Sequence, residues 1–231
     1  MLPYIAQTSP SPLARPPRAS RVSRIALIAL LGLSLALAAC PSLAQDASGD
    51  AGMAAAPEIL SEDRLKGLAE NILDTGLRRD NIISIDAPEY INVEDASLSL
   101  DANEVVFVAE IDGQTYVFPQ LIMVWHENLN GVFPSGRRTI SYCPMTGSVV
   151  GFLGKVDGFE TGFGTSGRLL NGNSVLYDRS TNSQWPQLLA TAIIGPLMGK
   201  QLSTFPVLWT RWRLARERYP DAKVLTRPRG L

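Results

Sequence analysis

Short runs of β-prone residues follow one another through most of the chain, and this pattern limits the possible folds more than any other feature. The clearest runs are EVVFVAEI, QTYVF, RTISYC, SVVGFLG and SVLYD. The first two are separated by Asp112-Gly113, which is a strong signal for a β-hairpin. Frequent short strands with Gly, Asn and Ser between them predict a mainly β (α+β) domain. Its core would be a β-sandwich or barrel-like arrangement of short antiparallel strands.

Three segments predict peripheral helices. Ser61 is a good N-cap for a helix that Gly76 would end. Residues 119–127 favour a short helix with Pro119 at its first position. Residues 207–219 (VLWTRWRLARERY) combine an apolar and a basic face and also predict a helix.

The N-terminal segment has the residue order of a bacterial secretion signal. Arginines precede a predominantly apolar run at residues 25–39, IALIALLGLSLALAA. As a helix this run would cover roughly 22 Å, which is short of the hydrocarbon core of a bilayer, about 30 Å. We therefore expect residues 1–39 to be a signal peptide and the protein to be exported.

The apolar run ends in LAAC, which resembles the lipobox of bacterial lipoproteins. On this interpretation Cys40 carries a lipid, and the protein is a lipoprotein of the inner or outer membrane. Ordinary cleavage after Ala44 is the alternative, and it would release a soluble periplasmic protein. Both interpretations leave Cys143 as the only cysteine of the folded domain, so no intramolecular disulfide can form there.

Composition divides the remainder of the chain into two parts. Residues 40–57 contain few large apolar side chains and predict a flexible tether, and residues 58–231 would form a single globular domain. Beyond the signal segment the chain keeps 17 of its 21 basic side chains against all 22 acidic ones. This mildly acidic balance argues against a nucleic-acid partner.

The residues able to carry chemistry are few. His126 is the only histidine of the chain, and Cys143 follows a predicted strand. A neutral imidazole beside a thiol can take its proton, so we predict a catalytic or metal-assisted site with Cys143, His126 as base or co-ligand, and Glu127 orienting the imidazole. Cys143 as a small buried hydrophobe and His126 as a helix-end residue are the alternative. The sequence defines no cofactor, and one His and one Cys do not suffice for a closed zinc site.

Several blocks in a fixed order resemble the domain of unknown function 3179 family of bacterial and archaeal exported proteins. The blocks are VFPQLIMVWHENLNG, ISYCPMTGSVVGF, FGTSGRLLNGNSVLYDRSTNSQWPQ, AIIGPLMGKQL and RWRLARERYPDAKVLTRPRG, and the match runs from about residue 104 to the C-terminus. The family has no established activity to carry over. Its pattern falls on His126, Glu127, Tyr142, Cys143, Pro144, Gly147, Ser166, Gly167, Asn171, Asn173, Tyr177, Asp178, Arg179, Trp185 and Gln187.

Two differences limit what the resemblance implies. Many relatives carry a second cysteine in a CPLC-like turn, where this chain has Thr146, and this argues against a dithiol redox site. Family members also tend to continue past the position of Leu231 with a second, similar segment. The resemblance therefore implies that this chain lacks the C-terminal part of the family domain.

Three functions are compatible with the sequence. The first is an envelope enzyme, which requires His126 and Cys143 within about 4 Å of each other in a partly exposed pocket. The second is a non-catalytic module that binds a small molecule, glycan or peptide, and the third is an envelope assembly protein that uses Trp209, Trp212 and the arginine-rich helix. The candidate binding residues are Tyr142, Thr146, Ser166, Asn171, Asn173, Asp178 and Trp185.

Overall fold

A computed structural model describes residues 60–228. The predicted signal peptide, Cys40 and the tether lie outside these residues. The described chain contains four helices, which are α1 (Glu62–Glu70), α2 (Val93–Ala96), α3 (Gln120–His126) and α4 (Trp212–Arg218). In residues 60–228 no helix has the length and apolar content needed to cross a membrane.

The same residues contain fifteen strands, and the predicted mainly β architecture is confirmed. The strands are β1 (Ile72–Asp74), β2 (Tyr90–Ile91), β3 (Val105–Ile111), β4 (Gln114–Pro119), β5 (Asn128–Phe133), β6 (Gly136–Cys143), β7 (Ser148–Leu153), β8 (Lys155–Val156), β9 (Phe159–Glu160), β10 (Phe163–Leu170), β11 (Asn173–Asp178), β12 (Gln184–Pro186), β13 (Thr204–Phe205), β14 (Leu208–Arg211) and β15 (Lys223–Leu225).

These strands form three larger sheets and one two-stranded ribbon. Sheet A has the order β1-β10-β11-β12, sheet B the order β13-β7-β6-β5, and sheet C the order β14-β3-β4-β15-β2, while β8 and β9 form the ribbon. The strand pairs are antiparallel, except that β15 runs parallel to β4.

The hairpin predicted at Asp112-Gly113 is confirmed. Asp112 has φ 54° and Gly113 has φ 77°, and the flanking strands β3 and β4 pair from Ile111 and Gln114 outwards. Two consecutive residues with positive φ give a tight turn whose twist fits the twist of the strands, and Asp-Gly adopts it at low cost.

Sheet B lies between the other two sheets, because alternate side chains of a strand point to opposite faces. On one face Ile140 and Tyr142 of β6 pack in a cluster that includes Phe107 and Phe118 of sheet C. On the other face Phe152 of β7 belongs to a cluster with residues of sheet A, namely Phe163, Leu176 and Trp185. Sheet B is therefore covered on both sides.

Helices cover the outer faces of the other two sheets. Leu65 of α1 packs with Leu170 and Val175 of sheet A, and Trp212 of α4 is fully buried in a cluster with residues of sheet C. The N-cap predicted at Ser61 is confirmed, since its side chain accepts a hydrogen bond from the backbone N–H of Arg64. The helices are therefore peripheral, as expected.

Two predicted helix boundaries are wrong, and pairing of strands explains both. Helix α1 ends at Glu70, with Asn71 as its C-cap in place of the predicted end at Gly76, because Ile72–Asp74 pairs with β10. Helix α4 begins at Trp212, because Leu208–Arg211 pairs with β3. In both places pairing at the edge of a sheet satisfies backbone groups that a helix end would have left open.

The polar segment of residues 162–185 consists mainly of strands β10, β11 and β12. Asp178 at the end of β11 is fully buried. Its carboxylate accepts hydrogen bonds from the backbone and hydroxyl of Thr181 at 2.6 and 2.8 Å, from Ser183 N–H at 3.0 Å and from Trp185 Nε1 at 3.0 Å. This carboxylate fixes the loop between β11 and β12.

We expect D178A to lower the free energy of unfolding by about 3 kcal/mol, because it leaves several buried donors without an acceptor. The measurement is urea unfolding monitored by tryptophan fluorescence. E110A, at an exposed position of β3, is the matched control and should cost less than about 0.5 kcal/mol. Equal effects of the two variants would contradict a structural role for Asp178.

Candidate functional site

A cavity of about 330 Å³ lies beside sheet A, and Glu127 forms part of its wall. It is called the Glu127 cavity below. Its other walls come from the loop that follows β1, from Pro144 and Met145 after β6, and from the paired strands β10 and β11. The pairing of these strands shifts between Thr165 and Arg168. The cavity therefore borders a β-bulge, a feature that often occurs next to functional sites.

Gly167 allows the loop to approach the bulge closely. It has φ +74°, and a Cβ at this position would lie only 2.0 Å from the carbonyl oxygen of Leu77. The hydroxyl of Thr75 donates to the carbonyl of Gly167 at 2.7 Å, and the hydroxyl of Thr165 donates to the carbonyl of Ile82 at 3.0 Å. These contacts hold the loop in place as one wall of the cavity.

Glu127 has an unusual backbone conformation, with φ 55° and ψ −39°. A side-chain-bearing residue rarely adopts these angles, which are near those of a strained γ-turn. Hydrogen bonds on both sides hold it there, since Glu127 N–H donates to Met123 O at 2.8 Å and Tyr142 N–H donates to Glu127 O at 2.7 Å. The main chain of Glu127 is thereby fixed between α3 and β5, and its side chain forms part of the cavity wall.

The carboxyl group of Glu127 is harder to ionise than an ordinary one. Burial raises its pKa above the usual value of 4.5, and a hydrogen bond from the Ser174 hydroxyl offsets only part of this effect. The Ser174 Oγ to Glu127 Oε2 distance is 3.3 Å. Perturbed carboxyl groups in cavities are enriched at functional sites.

Cys143 lies next to the same serine and is fully buried. The backbone N–H of Ser174 donates to Sγ at 3.4 Å, and the thiol faces the carbonyl oxygen of Gly172 at 3.9 Å. Burial raises the pKa of the Cys143 thiol, but hydrogen bonds from Ser174 and Thr146 outweigh burial and hold the pKa below its usual value of 9.0. Ser174 therefore joins Cys143 to Glu127.

His126 is placed differently from the other two predicted catalytic residues. Its ring Nδ1 lies 2.7 Å from the carbonyl oxygen of Ile83, and it is not part of the cavity wall. Within residues 60–228 the thiol of Cys143 contacts Ser174 and Gly172, and no hydrogen bond joins it to His126. The structure thus brings together Glu127 and Cys143 through Ser174, with His126 held at the end of α3.

The predicted binding residues fall into three places. Ser166 lines the Glu127 cavity. Thr146, Asn171 and Asn173 line a second depression of about 340 Å³, where the Asn173 amide donates to Gln187 Oε1 at 2.9 Å. The other three are buried in the core, and these are Tyr142, Asp178 and Trp185.

The core members already have hydrogen-bond partners within the protein. The hydroxyl of Tyr142 accepts from the Gln120 amide at 2.6 Å, and Asp178 and Trp185 bond to each other. Groups of three or more His, Cys, Asp or Glu side chains that could hold a metal ion do not occur among the described residues.

Sequence reasoning missed Ser174 and the loop residues Leu77 and Arg78, which also line the cavity. Ser174 stands in the quoted run NGNSVLYD, but only strand pairing places its hydroxyl at Glu127. One signal was available in the sequence, because a glycine within a strand pattern, here Gly167, indicates a bulge or a close backbone approach.

The chain belongs to the family described as Protein of unknown function (DUF3179), whose profile matches residues 79–231. The resemblance inferred from the sequence blocks is thereby confirmed, and the match begins earlier than expected. Glu127, Cys143 and Ser174 lie within it. Neither the curated proteins nor the solved structures provide a significant match.

We expect E127Q to become progressively more stable than the wild type as the pH rises from below 4.5. A folded-state pKa raised above 4.5 means that Glu127 favours folding at low pH. That contribution is lost as the pH rises through the folded-state pKa. Glutamine keeps a hydrogen-bonding group but does not ionise. The measurement is urea unfolding of both proteins at a series of pH values.

E110Q removes an exposed carboxylate and supplies the background for this comparison. If the difference in the free energy of unfolding between E127Q and the wild type stays constant with pH, the raised pKa of Glu127 is contradicted.

Proposed function

We propose that this protein is an exported component of the cell envelope that binds a small, mainly apolar molecule in the Glu127 cavity. Support for export comes from the sequence alone, namely the arginines before the apolar run and the lipobox-like LAAC that ends at Cys40. On the lipoprotein interpretation, a lipid on Cys40 attaches the protein to the membrane and the tether separates the domain from it.

The observation that carries the binding proposal is the composition of the cavity. Its volume of about 330 Å³ is at the lower end of the range for small-molecule sites, and such sites combine apolar walls with a few fixed polar groups. The apolar part of this wall consists of Leu77, Ile82, Pro144, Met145, Leu169 and Val175. Glu127 is the fixed polar group, held by backbone hydrogen bonds on both sides.

Binding fits the geometry better than catalysis. The sulfur of Cys143 is fully buried and does not form part of the cavity wall. His126, the predicted base, is hydrogen-bonded to the Ile83 carbonyl. A substrate would reach the sulfur only if the turn after Cys143 moved, whereas a ligand can occupy the cavity as it stands.

Thiol chemistry is a second candidate function, because Ser174 contacts both Cys143 and Glu127. The pKa of the thiol is lowered and the pKa of the carboxyl is raised, which suits a nucleophile and a proton donor. In such a reaction the thiolate would form a bond to an electrophilic carbon. The bond to the leaving group would break, and Glu127 would give that group its proton.

A neutral solvatochromic dye such as Nile red tests the binding proposal. We expect the purified wild-type protein to bind the dye with a blue-shifted emission. L77E should weaken binding about tenfold, because it places a charge on the apolar wall. Leu77 is 47% exposed, so the variant should still fold, and circular dichroism checks this.

L98E is the matched control, since Leu98 is 86% exposed and lies outside the cavity wall. Equal weakening by L77E and L98E, or none by L77E, would place the dye elsewhere and contradict the proposal.

Alkylation of Cys143 distinguishes the second candidate. Because the sulfur is fully buried, we expect iodoacetamide to modify it at least about a hundredfold more slowly in the native protein than in urea. Mass spectrometry of the Cys143 peptide gives the rate. Fast native alkylation at neutral pH that S174A slows would instead favour thiol chemistry.

A further inference from the structure

The arginines near the Glu127 cavity are not equivalent. Arg168 lines the cavity but is engaged elsewhere, with its guanidinium 3.6 Å from the Asp74 carboxylate and 3.1 Å from Gln184 Oε1. Arg79 lies over the ring of Tyr177 and donates to the side chain of Asn182. Both guanidinium groups are therefore fixed within the protein.

Arg78 lines the cavity and differs from these two neighbours. Its side chain is exposed, and within residues 60–228 it has no ion-pair partner and no other side-chain interaction. An arginine is always charged and presents a planar fork of donors that fits a carboxylate. Among the residues that the structure describes, the cavity thus has one cation free to meet a ligand.

The apolar wall and the free cation together fit a ligand that has an apolar part and an anionic group. Leu77 and Arg78 are consecutive in the loop and both line the cavity. A molecule that covers the leucine with apolar atoms therefore has its other end within reach of the guanidinium. A purely apolar ligand would leave this cation unused, and a cationic ligand would be repelled by it.

We infer that the ligand is a small amphipathic acid, whose apolar body occupies the Glu127 cavity and whose anionic group pairs with Arg78. This inference rests on the proposed binding function and adds the chemical class of the ligand. It does not depend on thiol chemistry at Cys143.

Glu127 is compatible with an acidic ligand. An ionised carboxylate in the cavity would repel an anion, but burial raises the pKa of Glu127, which favours its neutral form. Neutral Glu127 can donate a hydrogen bond to a ligand oxygen. We therefore expect acid binding to strengthen as the pH falls towards the pKa of Glu127, as long as the ligand stays ionised.

Three probes with the same alkyl chain and different head groups test the inference: decanoate, decanol and decyltrimethylammonium. Each is titrated against the purified protein with bound Nile red, and displacement gives its affinity. We expect decanoate to bind about threefold to fivefold more tightly than decanol, the upper range for an exposed ion pair. The ammonium probe should bind most weakly.

R78Q should remove the preference for decanoate and leave decanol affinity within about twofold. R78K keeps the charge without the planar fork and should restore part of the preference. R216Q, at an exposed arginine of α4, is the matched control and should change nothing. Added salt should weaken decanoate binding to the wild type more than to R78Q.

The outcomes separate the two proposals. If Nile red binds as expected but decanoate shows no advantage over decanol, or R78Q weakens both probes equally, the inferred ligand class is wrong and the binding function stands. If the ammonium probe binds most tightly, Glu127 and not Arg78 determines which charge the ligand carries, and the inference is wrong. If neither the dye nor any alkyl probe binds, both proposals are wrong.

Discussion

Hydrogen bonds between the buried, facing sides of sheets A and B hold these two sheets in alignment, and the candidate site depends on that alignment. Sheet B is covered on both sides, so the polar side chains on its sheet A face need partners within the protein. The amide of Asn130 supplies one such link, accepting from Phe163 N–H at 2.9 Å and donating to Phe163 O at 2.9 Å. Gln187 supplies another, donating to the carbonyl oxygen of Ser141 at 2.9 Å. Because each amide bonds to backbone groups at defined positions, these links fix the alignment of sheets A and B. That alignment in turn brings Ser174 of β11 against Cys143 of β6.

The Glu127 cavity forms where this regular packing ends. Regular pairing of β10 with β11 is interrupted at Ser166 and Gly167, and the loop after β1 closes over the bulge. On the opposite side, α3 ends in the strained backbone of Glu127, whose carbonyl accepts from Tyr142 N–H at 2.7 Å. A strained residue persists only when its surroundings hold it firmly. The buried sheets therefore supply the rigidity, and the irregular backbone at their margin supplies the space for a ligand.

Local features were predictable from the sequence, and features that depend on distant pairing were not. Asp112-Gly113 predicted its hairpin, and Ser61 its helix start, because turn and cap chemistry act over a few residues. The sequence predicted a helix that includes Leu208–Arg211. These residues form a strand because they pair with β3, about a hundred positions away in the chain, and no local pattern indicates that pairing. The candidate site shows the same limit. Ser174 is 31 residues from Cys143 and 47 residues from Glu127, and no local pattern indicates that it contacts both. The sequence thus named two of the three residues that meet here but not the one that joins them.

Burial acts in the same direction on Glu127 and Cys143, and their hydrogen bonds explain why the outcomes differ. Burial alone raises the pKa of a carboxyl group or a thiol, because it penalises the charged, deprotonated form. Glu127 receives one hydrogen bond from the Ser174 hydroxyl, and burial prevails. Cys143 receives several from Ser174 and Thr146, and the hydrogen bonds prevail. Ser174 contacts both acids, because its hydroxyl donates to Glu127 Oε2 and its backbone N–H donates to Sγ of Cys143. The two groups therefore share one hydrogen-bonding residue, and the balance between burial and hydrogen bonds decides the direction in which each pKa moves.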